Sequence, residues 1–186
     1  MDLQKLAVKI FVEQPDTLPL TEFIEIFHGW IQATDGAYHD VADYSHMHAG
    51  PGIVLIASDA NLSIDETENR RGLLYATKLR LEGSNQQKLR SALRTALANC
   101  RKLEDDPALR GKLRFCRNEV AISVNDRAAA VNSVDAFEEL KGEFYPVARE
   151  FFGDAAIALG RNADPRQRLN LRVRSSVPIG SGAVSS

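Results

Sequence analysis

The chain has 186 residues, and 23 Lys and Arg against 25 Asp and Glu leave a net charge of −2. Hydrophobic residues at 44% and charged residues at 26% are the values of an ordinary soluble, folded protein, with length enough for one full core or two small ones. No run approaches the roughly 20 apolar residues of a membrane helix, the opening MDLQKLAVKIFVEQPD is too charged for a secretory signal, and two cysteines, Cys100 and Cys116, are too few and too far apart for a disulfide framework or a Cys-x-x-Cys site.

The first element is LQKLAVKIFVEQ, where Leu6, Val8, Ile10 and Val12 alternate as in a half-buried strand. After Pro15 comes PLTEFIEIFHGWIQ, whose Leu20, Phe23, Ile24, Phe27, Trp30 and Ile31 form a helical apolar stripe. HDVADY reads as a short strand. Gly50-Pro51-Gly52 carries Pro and Gly at the two central positions of a type II turn. IVLIA has no polar alternation, so it is expected in the middle of a sheet covered on both faces. NLSID and GLLYATKLRL follow as further candidate strands. Ser84 and Gln87 make a capping box for a helix at 85–104 whose buried side holds Leu89, Leu93, Ala96, Leu97, Cys100 and Leu103, with Arg90, Arg94 and Arg101 expected in solvent.

The second half begins with NEVAISVND, again alternating, and continues into VDAFEELKGEFYPVAREFF, with Ser133 as N-cap, Pro146 as a kink and Gly153 as C-cap. AAIAL and LNLRVRS supply two more strands. The order strand, helix, strand, strand thus occurs twice, and the spacing predicts two related β-α-β-β halves at about 1–83 and 113–176, joined by the helix at 85–104. The expected fold is α+β: one globular domain over 1–176, with a largely antiparallel or mixed sheet of about seven to nine strands and three helices. Residues 177–186 are Gly- and Ser-rich and read as a disordered tail.

Charge is segregated along the chain. Residues 1–69 hold two Lys against twelve acids, whereas 70–117 hold thirteen basic residues against four acids. Residues 165–186 carry Arg166, Arg168, Arg172 and Arg174 and no acid. Arg172 and Arg174 share one face of their strand, a cationic surface able to meet an anion or nucleic acid. A pI of about 6.1 and the lack of aromatic stacking motifs argue against nucleic acid.

Three of the four histidines fall in YHDVADYSHMHAGPG. His46 and His48 lie two apart, and a metal site would need a third ligand, either His39 or Asp43 brought in by a bend near Ser45 or a residue from elsewhere such as His28. The alternative is a solvated polar loop before a tight turn. No nucleophile elbow, Walker loop or dinucleotide fingerprint accompanies them, and no cofactor is implied. Arg70 and Arg71 form an anion-binding pair, or else they neutralise Asp65, Glu66 and Glu68 just upstream.

DVADYSHMHAGPGIVLIA, then SIDE and GLLYATK, then VND, resembles in its order an uncharacterised bacterial family over most of the chain. That resemblance implies a cytoplasmic bacterial protein of one domain, with no assigned activity and no assigned site residue.

The function expected from these residues is a non-catalytic module that binds a small anionic ligand or a partner protein, as a homodimer, with Asp43, His46, His48, Arg70 and Arg71 as candidate ligand-binding residues. A metal- or histidine-dependent enzyme built on 39–48, with His39, His46 and His48 as metal ligands, is the second reading. Anion or nucleic-acid binding through the arginine surfaces is the third.

Overall fold

The computed structural model describes residues 1–126, 131–164 and 166–180. In chain order it contains β1 (Leu6–Val12), α1 (Glu22–Ala33), β2 (Tyr38–Tyr44), β3 (Gly52–Ala57), β4 (Ala60–Asp65), β5 (Gly72–Thr77), α2 (Asn85–Glu104), β6 (Phe115–Val124), α3 (Val134–Phe152), β7 (Ile157–Gly160) and β8 (Asn170–Ser175). The strands make one eight-stranded sheet in the order β2-β3-β4-β5-β1-β6-β8-β7, and every recorded pairing is antiparallel. The α+β class with three helices is therefore the fold observed.

β1 and β6 pair at the centre. From β1 the chain crosses by α1 to the far edge and returns through β2, β3, β4 and β5; from β6 it crosses by α3 to the other edge and returns through β7 and β8. Four strands return on one side and two on the other.

Local chemistry explains the element boundaries. Ser84 and Gln87 satisfy each other's backbone at the start of α2, as their spacing predicts, and Ser133 accepts from the Ala136 N–H at the start of α3. α3 continues through Pro146 and ends at Gly153, whose φ is +63°. The β2–β3 turn closes at Gly52, with φ +64°, where an added Cβ would lie 1.9 Å from the Ile64 carbonyl oxygen.

All three helices pack on one face of the sheet. Leu6, Val8, Ile10 and Val12 of β1 meet Phe23 and Phe27 of α1, Leu93 and Cys100 of α2, and Leu140 and Phe144 of α3 in a single buried cluster. Burying each such side chain contributes roughly 1.5–3 kcal/mol, so this one layer carries most of the drive to fold.

Several expectations need correction. β1 is not half-buried: all seven residues are buried, and on the second face Lys9 is held by Asp65 and Thr67 while Arg70 and Arg172 lie over the Phe11 ring. β3 is buried but lies next to the edge strand β2 rather than mid-sheet. β5 stops at Thr77, so Leu79 is exposed instead of continuing the strand. Arg90 does not stand free in solvent; it forms an ion pair with Glu150 of α3. The segment 177–180, expected to be disordered, is held by Ile179, whose N–H bonds the Arg117 carbonyl 2.6 Å away and whose side chain joins the core; the rest of that expected tail, 181–186, lies outside the described residues.

Candidate functional site: a polar cleft on the face away from the helices

Alternation along β1 sends Ala7, Lys9 and Phe11 to the face that the helices leave uncovered. Register places Ala121 of β6 and Leu74 of β5 on either side of Lys9, and Arg172 of β8 beyond Ala121. Two connections wall this floor: the β4–β5 segment 66–71, and residues 161–164 and 166–169 between β7 and β8. Between them lies a cleft of about 560 Å³, lined among others by Lys9, Asp65, Glu68, Ser123, Asn162, Gln167, Arg168, Asn170 and Arg172.

At the floor the Lys9 ammonium donates to Asp65 Oδ1 at 2.5 Å and to the Thr67 carbonyl at 3.0 Å, with Lys9 7% and Asp65 1% exposed. Asp65 also accepts from the Thr67 N–H, which ties the start of the β4–β5 segment to β1. Beside the cleft, three arginines converge on one carboxylate. Arg70 makes a two-pronged contact with Glu119 at 2.9 and 3.2 Å, Arg172 reaches it at 3.2 Å, and Arg174 at 3.4 Å. Burial pushes the Glu119 carboxyl up, but the hydrogen bonds from Arg70 and Arg172 outweigh it and hold the group below the ordinary glutamate value. The guanidinium groups of Arg70 and Arg172 lie 3.8 and 5.0 Å from the centre of the Phe11 ring and shield it from water.

The far wall is built by asparagines. Asn170 Oδ1 accepts from the Asn162 N–H at 2.8 Å, and Asn132, which is buried, donates to the Asn162 and Asp164 carbonyls at 2.8 and 2.9 Å. These bonds satisfy backbone groups of the loop at Asn162 and Asp164, alongside the loop's own Gln167 N–H to Asp164 carbonyl bond at 2.9 Å. Arg168 stands exposed on that wall and, among the described residues, has no carboxylate partner.

The cleft presents the cations Lys9, Arg168 and Arg172 against the acids Asp65 and Glu68, together with the neutral polar side chains of Ser123, Asn162, Gln167 and Asn170. Chemically it can orient a small polar anion by guanidinium and amide hydrogen bonds. The side chains at its floor are consumed by one another.

The candidates from the histidine-rich stretch are dispersed. β2 ends at Tyr44, so His46 and His48 lie in the segment that follows it, beyond the strand that carries His39 and Asp43. Asp43 closes that turn by accepting from the Ser45 N–H at 2.8 Å, and these hydrogen bonds to Ser45 lower its carboxyl pKa. His39 faces Ser58 at 2.5 Å. Among the described residues, no three His, Cys, Asp or Glu side chains come together closely enough to hold a metal ion. His48 and Arg71 do meet, in a small cleft of about 250 Å³ with Gln14, Asp16, Glu66 and Asn69. There Arg71 is already engaged by Asp16 at 2.7 Å and by Glu66 at 2.6 Å, the neutralising role its upstream acids suggest. Arg70 departs from that pattern and crosses to Glu119, forty-nine residues away. A third cleft, of about 400 Å³, is lined by Arg110, Arg114 and Arg117 with Glu13 and Glu104.

Sequence reasoning passed over Lys9, Asn162, Gln167 and Asn170. The one signal for Lys9 was its place between Ala7 and Phe11 on a strand apolar on both faces.

No family model matches this chain, and neither the curated proteins nor the solved structures compared with it gave a match. Among the described residues no helix is long and apolar enough to cross a membrane.

Proposed function

We propose that this protein is a non-catalytic module that binds a small anionic ligand in the cleft on the face away from the helices. The observation that carries this reading is an Arg168 with no carboxylate partner among the described residues, lining one concavity with Arg172 and with neutral amide and hydroxyl groups. Arginine in that setting favours the planar, multi-pronged hydrogen bonding that carboxylates and phosphates offer.

Calorimetric titration of inorganic phosphate tests it. Wild type is expected to bind at about millimolar, the affinity that about 4 kcal/mol supplies, and an Arg168→Gln, Arg172→Gln double variant to lose at least about tenfold, or roughly 1.4 kcal/mol. Equal heats for both proteins would count against the cleft.

We also place the protein in the bacterial cytoplasm, on the family resemblance, and as a homodimer. The dimer rests on β2 and β7, each of which ends the sheet with an edge that no strand among the described residues pairs. Light scattering that shows a monomer at high concentration would remove it.

A further inference from the structure

Glu68 occupies an unusual position. It is a non-glycine residue with φ +62°, one of three such residues recorded, together with Ala49 and its own neighbour Asn69. Its side chain is 54% exposed, lines the cleft, and forms an ion pair with Arg172 at 2.7 Å, 104 residues away in sequence. The backbone thus adopts a conformation that L side chains disfavour while its carboxylate sits in water-accessible contact with the guanidinium best placed to receive an anion.

We propose that Glu68 is a built-in competitor for the cleft's ligand, and that the ligand is a dianion of the phosphomonoester class. This deepens the anion-binding reading above and rests on it. Glu68 holds one edge of the Arg172 guanidinium, with Glu119 on the other. A ligand oxygen arriving at Arg172 takes the place of the Glu68 carboxylate, and segment 66–71 is released from its left-handed turn. Lys9 stays cancelled by Asp65, and the single charge of Glu119 is shared among Arg70, Arg172 and Arg174, so displacement of Glu68 leaves an excess of positive charge at Arg168 and Arg172 that suits a doubly charged ligand. A monoanion would offset less of that excess. The exchange is feasible because the contact it breaks is solvent-exposed and held by a strained backbone, whereas the contacts anchoring the segment, Asp65 to Lys9 and Glu66 to Arg71, lie elsewhere.

The experiment is phosphate titration into wild type, Glu68→Gln and Glu68→Asp, each at a series of pH values through the second ionisation of phosphate, which for a phosphomonoester lies at about 6. Glu68→Asp keeps the charge but withdraws the carboxylate by one methylene. The expected result is that both variants bind about tenfold more tightly than wild type, and that affinity rises with pH as the dianion forms. Tighter binding by Glu68→Gln with Glu68→Asp unchanged would make the effect one of net charge and overturn the competitor. Phosphate binding that is equal in all three proteins would overturn it while leaving the cleft intact. Affinity independent of pH would remove the dianion. Absence of binding in all three would sink the cleft reading and this one together.

Discussion

Lys9 of β1 and Asp65 of β4 form an ion pair at 2.5 Å, both almost wholly out of water, on the face of the sheet that carries no helix. Removing one partner from such a pair strands a charge in a poorly solvated place. Lys9→Met is therefore expected to cost roughly 3–5 kcal/mol in urea denaturation, whereas Lys9→Met combined with Asp65→Leu should recover most of that loss. A single variant within about 1 kcal/mol of wild type would mean that water reaches the pair.

Gly52 answers for the β2–β3 turn. Its φ of +64° and the 1.9 Å approach of an added Cβ to the Ile64 carbonyl leave no room for a side chain. Gly52→Ala should lower stability by at least about 2 kcal/mol, more than left-handed strain alone. Gly36→Ala, also at positive φ but with open space around its Cβ, should cost less. Equal losses would refute the clash.

Much of the fold was legible because single elements carry complete local signals. Ser84 with Gln87 fixes the start of α2, and Ser133 with Gly153 brackets α3. The second face of the sheet was less legible. Alternation in β1 names Leu6, Val8, Ile10 and Val12 as inward, but it leaves open whether Lys9 meets water or an acid, and Asp65 reaches it only through a sheet order in which β5 lies between. The histidine stretch was less legible for a related reason: spacing puts His46 and His48 two apart, but β2 ends at Tyr44 and the turn that follows decides where they lie. Arg172 and Arg174 do share a face, but the carboxylate that organises them, Glu119, comes from β6 and pairs with Arg70 as well.

Glu119 gives a pH prediction. Its folded pKa lies below the unfolded value of ~4.3, because the hydrogen bonds from Arg70 and Arg172 exceed the cost of burial. The stability it contributes is fully present above that unfolded value and is lost as pH falls through the lower folded one. Glu119→Gln should be less stable than wild type by roughly 1–3 kcal/mol at pH 7. The gap should narrow in acid, as thermal melts over pH 2.5 to 7 would show. A gap constant with pH would contradict the assignment.

Cys100 and Cys116 should differ in reactivity. Burial pushes the Cys100 thiol well up, so native protein is expected to titrate one thiol, Cys116, rapidly with a disulfide reagent, and the second only on unfolding. Two thiols reacting together in native protein would place α2 away from the sheet.

The most direct test of the central claim is a phosphate titration followed by amide NMR on uniformly labelled protein. The cleft predicts saturable shifts concentrated at Ser123, Asn162, Gln167, Arg168, Asn170 and Arg172, which all line it. Shifts confined to Arg110, Arg114 and Arg117 around the other basic cleft, or no saturable shift at all, would contradict it.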